Sequence, residues 1–187
     1  MKRAAISIAI LGLLIAPASA AQKWKLETAR SKLDFTVSWG GQPFHGVFRS
    51  WKADIEFDPA DLAHSHANIT IDTGSESSGD PETDGGVKGA EGFASSQFPT
   101  ALFRTSAFTH KAGNDYVAAG TLSIKGVSKP VTLPFTLTLS GNTARVMGKA
   151  QVIRTDFRVG TGEWEKPDPV AHEVAVNIDL TATKAGS

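Results

Sequence analysis

The chain contains no cysteine. That excludes disulfide staples, a thiol nucleophile, thiolate metal sites and a lipid-modified cysteine anchor. Stability must come from burial. Neither sign of charge is in excess: 19 Lys and Arg face 19 Asp and Glu, for a formal net charge of zero. Such a balance supplies no electrostatic footprint for nucleic acid or an anionic membrane surface. Catalytic signatures are missing too. There is no G-x-S-x-G elbow, no H-E-x-x-H pair and no phosphate-cradling glycine loop. Helical periodicity is almost absent.

What is there begins with an address. Met1-Lys2-Arg3 is a basic start, Ala4 to Ala16 an apolar run, and Ala18-Ser19-Ala20 a small-residue cleavage site. The run is short for a membrane span. The pattern predicts a secretory signal peptide over residues 1–20, cleaved after Ala20, and a periplasmic protein. Residues 21–187 are then one domain, a single-domain length for an all-β fold.

The most regular stretch is Gly120 to Phe135, GTLSIKGVSKPVTLPF. Tyr116, Ala118, Gly120, Leu122 and Ile124 share one face of an extended chain. After a turn at 125–130, Val131, Leu133, Phe135, Leu137 and Leu139 do the same. Period-2 alternation marks strands with one buried and one wet face. Leu33, Phe35, Val37 and Trp39 alternate likewise, as do Ala67, Ile69 and Ile71, Val146 to Val152, and Val174 to Ala182. Phe44, Gly46 and Phe48 take one parity; Trp51, Ala53, Ile55 and Phe57 take the other. That switch predicts a bent or bulged strand near Arg49-Ser50. Long, punctuated, bent strands predict an antiparallel barrel of about eight strands, wide enough for side chains or one small ligand. Gly74 to Gly92 is rich in Gly, Ser and acid, and reads as a long mobile loop, with a short helix near 87–96 as the alternative.

Polar candidates are few. His64 and His66 face outward without a third ligand, so no metal is expected. Glu76, Asp80, Glu82 and Asp84 do not fit a calcium loop and read as solvated. Arg154, Asp156, Glu163 and His172 are the residues an enzyme would have to use. Surface ion pairing is the favoured reading for the charges there, and no catalytic residue or cofactor is assigned. The apolar interior remains. Its expected wall is Phe35, Val37, Phe48, Ile55, Ile69, Phe103, Leu122, Ile124, Leu133, Phe135, Leu137, Val152, Val174, Val176 and Ile178. Small inward residues (Ala118, Gly120, Gly148, Ala150) tilt the reading from a filled interior towards a tunnel.

The hairpin closely resembles the signature of the YceI family. Ser31 to Val37, Gly46-Val47-Phe48 with Ala53 to Pro59, Phe93 with Phe98 to Phe103, and Arg154 to Gly160 resemble further family segments in the expected order. Arg158 stands where the family usually has Gly. The resemblance spans nearly the whole mature chain. It implies a lipocalin-like antiparallel eight-stranded barrel in a bacterial periplasm, holding an isoprenoid lipid or quinone tail in a long apolar tunnel. Gly162-Glu163-Trp164 and the 74–92 segment resemble a subgroup found near membrane cytochrome b561 proteins, so a membrane b-type cytochrome is an expected partner. A homodimer is also open. The expected function is a non-enzymatic carrier. Its rivals are a redox accessory module and, less favoured, a lipid-modifying enzyme.

Overall fold

A computed structural model describes residues 21–186. The expected signal peptide lies outside the described residues. Three of the barrel's staves are broken strands. The first comprises β1 (Lys23–Leu26) and β2 (Lys32–Trp39), separated by a 3-10 turn at Thr28–Arg30. The second comprises β3 (Gln42–Phe48) and β4 (Trp51–Glu56). The third comprises β5 (His66–Asp72) and β6 (Glu76–Ser77). Five unbroken staves follow: β7 (Thr100–Ala112), β8 (Asp115–Ile124), β9 (Val127–Ser140), β10 (Thr143–Ile153) and β11 (Val170–Lys184). The hydrogen-bonded order β1-β4-β5-β7-β8-β9-β10-β11 closes where β11 pairs with β1, giving an antiparallel 8-strand barrel. Closure removes the free edges that an open sheet must protect.

The parity switch at Arg49-Ser50 has its expected cause. β3 pairs with β2, β4 pairs with β1, and the chain bends between them. Ser75 fills the break: its carbonyl accepts from Arg49 N–H at 3.2 Å and its hydroxyl from Ser50 N–H at 3.0 Å. A second irregularity explains the mixed parity of β7. Thr105 pairs with Gly120 but Ala107 with Ala119, so Ser106 is an inserted residue. The hairpin at Gly120 to Phe135 is tighter than the sequence suggests. Only Lys125 and Gly126 form its turn, both with positive φ, and Ser128 to Pro130 already belong to β9.

The 74–92 segment is not a mobile loop. It holds β6 and then α1 (Pro81–Lys88), earlier than the expected 87–96. The overlooked signal is the cap. Asp80 accepts from Thr83 N–H at 2.8 Å, Pro81 fills the first turn, and Lys88 sits in the last. Nor are all its acids solvated, since Glu76 is 1% exposed.

One end of the barrel is plugged. Trp24, Phe57, Tyr116, Phe135, Leu137, Ala144 and Ala182 form a buried cluster there. Tyr116 stacks on Phe135 at 5.6 Å, Phe57 meets Phe108 edge-on at 5.0 Å, and Trp24 Nε1 donates to the Phe57 carbonyl at 2.9 Å. Leu139, on the inward parity of β9, lies at this rim and is 47% exposed. At the other end sit α1, the turns at 89–98, and the 3-10 segments Arg154–Phe157 and Gly162–Trp164.

Candidate ligand-binding tunnel

The barrel is hollow. An inner chamber of about 170 Å³ starts at the plug, and an outer chamber of about 540 Å³ runs to the opposite end. Leu33, Ile71, Leu122, Val152 and Val176 line both, so the two chambers meet at this level of the barrel, its waist. The hollowness also shows in the burial pattern. Ile55, Ile69, Phe103, Val152, Val176 and Ile178 point inward yet remain only half-buried. In a filled barrel these side chains would have partners on every side.

Each expected wall residue has a definite place. Ile55, Ile69, Phe103, Leu133, Phe135, Leu137 and Ile178 line the inner chamber. Phe35, Val37, Phe48, Ile124 and Val174 line the outer one. Leu122, Val152 and Val176 are at the waist. Of the four small residues expected to leave space, the two glycines do not. At Gly120, an added Cβ would overlap the Arg104 carbonyl and stand 2.8 Å from the Phe103 ring, so the glycine admits Phe103 rather than leaving a void. At Gly148 it would meet the Pro134 carbonyl at 2.9 Å. Ala118 and Ala150 border the inner chamber as expected, joined by Ala144 and Ala182.

Sequence alternation overlooked much of the outer wall. Thr83, Gly86 and Val87 of α1, with Phe93, Phe157 and Trp164 from the connections, close the chamber. These residues lie outside the strands, where period 2 gives no signal. The aromatic character of Phe93, Phe157 and Trp164 is a cue that Thr83, Gly86 and Val87 lack. Phe48 meets Phe93 at 5.7 Å, and Trp39 meets both Phe44 at 5.4 Å and Trp164 at 5.2 Å. All four tryptophans line the tunnel, Trp24 and Trp51 in the inner chamber and Trp39 and Trp164 in the outer.

Two cations hold this end together. Buried Arg154 donates to the carbonyls of Ala171, Val159, Gly160, Trp164, Lys166 and Val170. It therefore takes part in no surface ion pair. Lys125, at the hairpin tip, donates to the carbonyls of Ala90, Gly92 and Arg158 at 2.8–2.9 Å. Burial pushes both groups down from their ordinary pKa values.

The other polar candidates do not converge. Asp156 and Glu163 are exposed, and His172 Nε2 is spent on the Glu165 carbonyl at 2.8 Å. His64 pairs with Asp61 at 2.8 Å, and His66 lies 4.0 Å from Asp54. Among the described residues, no three His, Asp or Glu side chains are placed to hold a metal ion. Thr105 is the one hydroxyl on the inner wall among the described residues. The arrangement suits a long apolar guest held by contact area, with polar groups concentrated at the outer end.

Known proteins share this architecture. The family described as the YceI-like domain matches residues 24–182. A UPF0312 protein of Enterobacter sp. (strain 638) is 32% identical over 137 residues, covering 71% of each chain. Another, of Shewanella baltica (strain OS185), is 30% identical over 71% of this chain and 72% of its own. The crystal structure of BcnA from Burkholderia cenocepacia superposes with a TM-score of 0.83 at 36% identity, covering 85% of this chain and 100% of that one. A structure described as a polyisoprenoid binding domain from Saccharophagus degradans gives 0.69 at 16% identity over 88% and 99%, a likeness of fold. The match runs from the first strand almost to the end of the last, over the staves that enclose the tunnel, and this chain belongs to the YceI-like domain family.

Proposed function

We propose that this protein binds and carries an isoprenoid lipid, a polyprenyl chain or quinone tail, in the periplasm without changing it chemically. The two adjoining apolar chambers, plugged at one end and with their polar lining concentrated towards the other, carry this reading. A guest would enter tail first and leave its head group near α1. Each CH₂ buried contributes about 0.8 kcal/mol, so a polyprenyl chain needs no specific polar contact to bind tightly. Family membership and the fold shared with a polyisoprenoid binding domain support the same ligand class. Compartment rests on the signal-like segment at 1–20. Transfer to a membrane b-type cytochrome is supported by Gly162-Glu163-Trp164, whose Trp164 stands on the outer wall. Co-purification with that cytochrome tests it.

The tryptophans supply the direct assay. Titration with quinones of increasing prenyl length should quench their fluorescence saturably, with affinity rising with each isoprene unit. Affinity independent of tail length, or no quenching, would contradict a tail-binding tunnel.

A further inference from the structure

Among the described residues, one carboxyl is buried without a hydrogen-bond partner. Glu76 is 1% exposed, and neither side-chain oxygen has a hydrogen-bond partner. Register explains its direction. β6 pairs with β3 so that Glu76 stands opposite Phe48, on the same inner face as Phe48 and Gly46. Gly46 makes room for it, since a Cβ there would stand 2.8 Å from Glu76 Oε1 and overlap the Phe35 ring. Phe35 and Phe48 are outer-chamber wall, so the carboxyl sits beside residues of that wall.

The covering element is slight. β6 is held to β3 by two residue pairs, Val47 with Ser77 and Phe48 with Glu76. α1 follows it, tied back by Asp84 Oδ1, which accepts from both the N–H and the hydroxyl of Ser78 at 2.6 Å. Gly85 and Gly86 sit inside this helix, which lowers its intrinsic stability. Such an element opens at low cost.

The charges around Glu76 favour its neutral form. From α1, Asp84 repels a second negative charge, while Lys88, 4.0 Å from Asp84, attracts it. On the flanking segments, His45 is turned to Thr36, Arg49 to the Ser77 hydroxyl and Asp72 to Gly74 N–H, all in exposed contacts. None of these reaches the carboxyl. A neutral carboxyl suits this pocket, whereas a carboxylate there has no compensating donor.

We propose that Glu76 is a protonation-controlled latch on the outer chamber: neutral, it keeps β6 and α1 seated over the tunnel; ionised, it releases them and opens the route for the guest to leave. What passes through rests on the lipid-binding reading, but the motion does not. Burial first, and Asp84 second, push the Glu76 pKa up to about 7 from 4.5, so the transition falls near neutral pH.

Two readouts on the exported, processed protein test this between pH 5.5 and 8.5. The first is hydrogen exchange of the β6–α1 segment in the empty protein, corrected for intrinsic rates and referred to β8 and β9. Opening should rise by about tenfold per pH unit up to about 7 and level off above it, and Glu76→Gln should abolish the rise. The second is release of preloaded N-phenyl-1-naphthylamine, a neutral apolar fluorophore, which should accelerate over the same range and stay slow in Glu76→Gln. Should Glu76→Gln not fold, Asp84→Asn should lower the midpoint and Lys88→Met should raise it. Exchange that ignores pH, or follows it unchanged in these variants, overturns the latch. Failure of the fluorophore to bind at any pH counts against the lipid reading and leaves exchange to judge the latch.

Discussion

Gly46 is the position where one added methyl group would be felt twice, by the Phe35 ring and by Glu76. Gly46→Ala should cost about 1–3 kcal/mol in urea denaturation, because neither neighbour has free space to retreat into. Glu76 itself makes stability depend on pH. Its folded-state pKa of about 7 lies above the ordinary 4.5, so the folded state binds the proton more tightly. The stabilisation is complete below pH 4.5 and is lost as the pH rises through about 7. Denaturation at pH 5 and pH 8 should show that loss in the parent protein and not in Glu76→Gln. Residue type alone gave no hint of this role. Glu76 sits in a run of Gly, Ser and acid, and its burial comes from a two-residue pairing with β3 that local periodicity cannot register.

Among the elements, the connection from β10 to β11 depends on one side chain. Arg154 satisfies carbonyls from Val159, Gly160, Trp164, Lys166, Val170 and Ala171. Arg154→Met leaves these acceptors without a donor. It should cost about 3 kcal/mol or more and shift Trp164 emission to the red. Lysine should not restore the loss, since it lacks the planar fork. The strands were legible in the sequence because Leu33 to Trp39, Tyr116 to Ile124 and Val131 to Leu137 repeat with the two-residue period of a half-buried sheet. Even the break at Arg49-Ser50 was legible, as a change of parity. α1 was misplaced because its apolar content is minimal and its only signal, the Asp80-Pro81 cap, was hidden in a loop-like composition. Arg154 read as a surface charge because its partners are backbone carbonyls, which carry no residue identity.

For the whole molecule, the closed barrel and the direction of its side chains followed from alternation, but the tunnel did not. An inward Leu122 or Val152 reads the same whether the barrel is filled or hollow. The difference lies in how far the staves stand apart and in which small residues border the gap. At the waist, Val152→Phe should leave folding intact, since the added ring enters empty space. It should weaken long prenyl guests by about 0.8 kcal/mol for each CH₂ excluded from the inner chamber, while guests short enough for the outer chamber bind as before. Quinone titrations of the variant and its parent read this directly. The central claim, that the tunnel carries an isoprenoid lipid, is tested most directly on the protein purified from its native host. Organic extraction followed by mass spectrometry should recover a polyprenyl lipid or quinone in near-stoichiometric amount. A protein that yields no apolar lipid, while its fold is intact, would contradict the account.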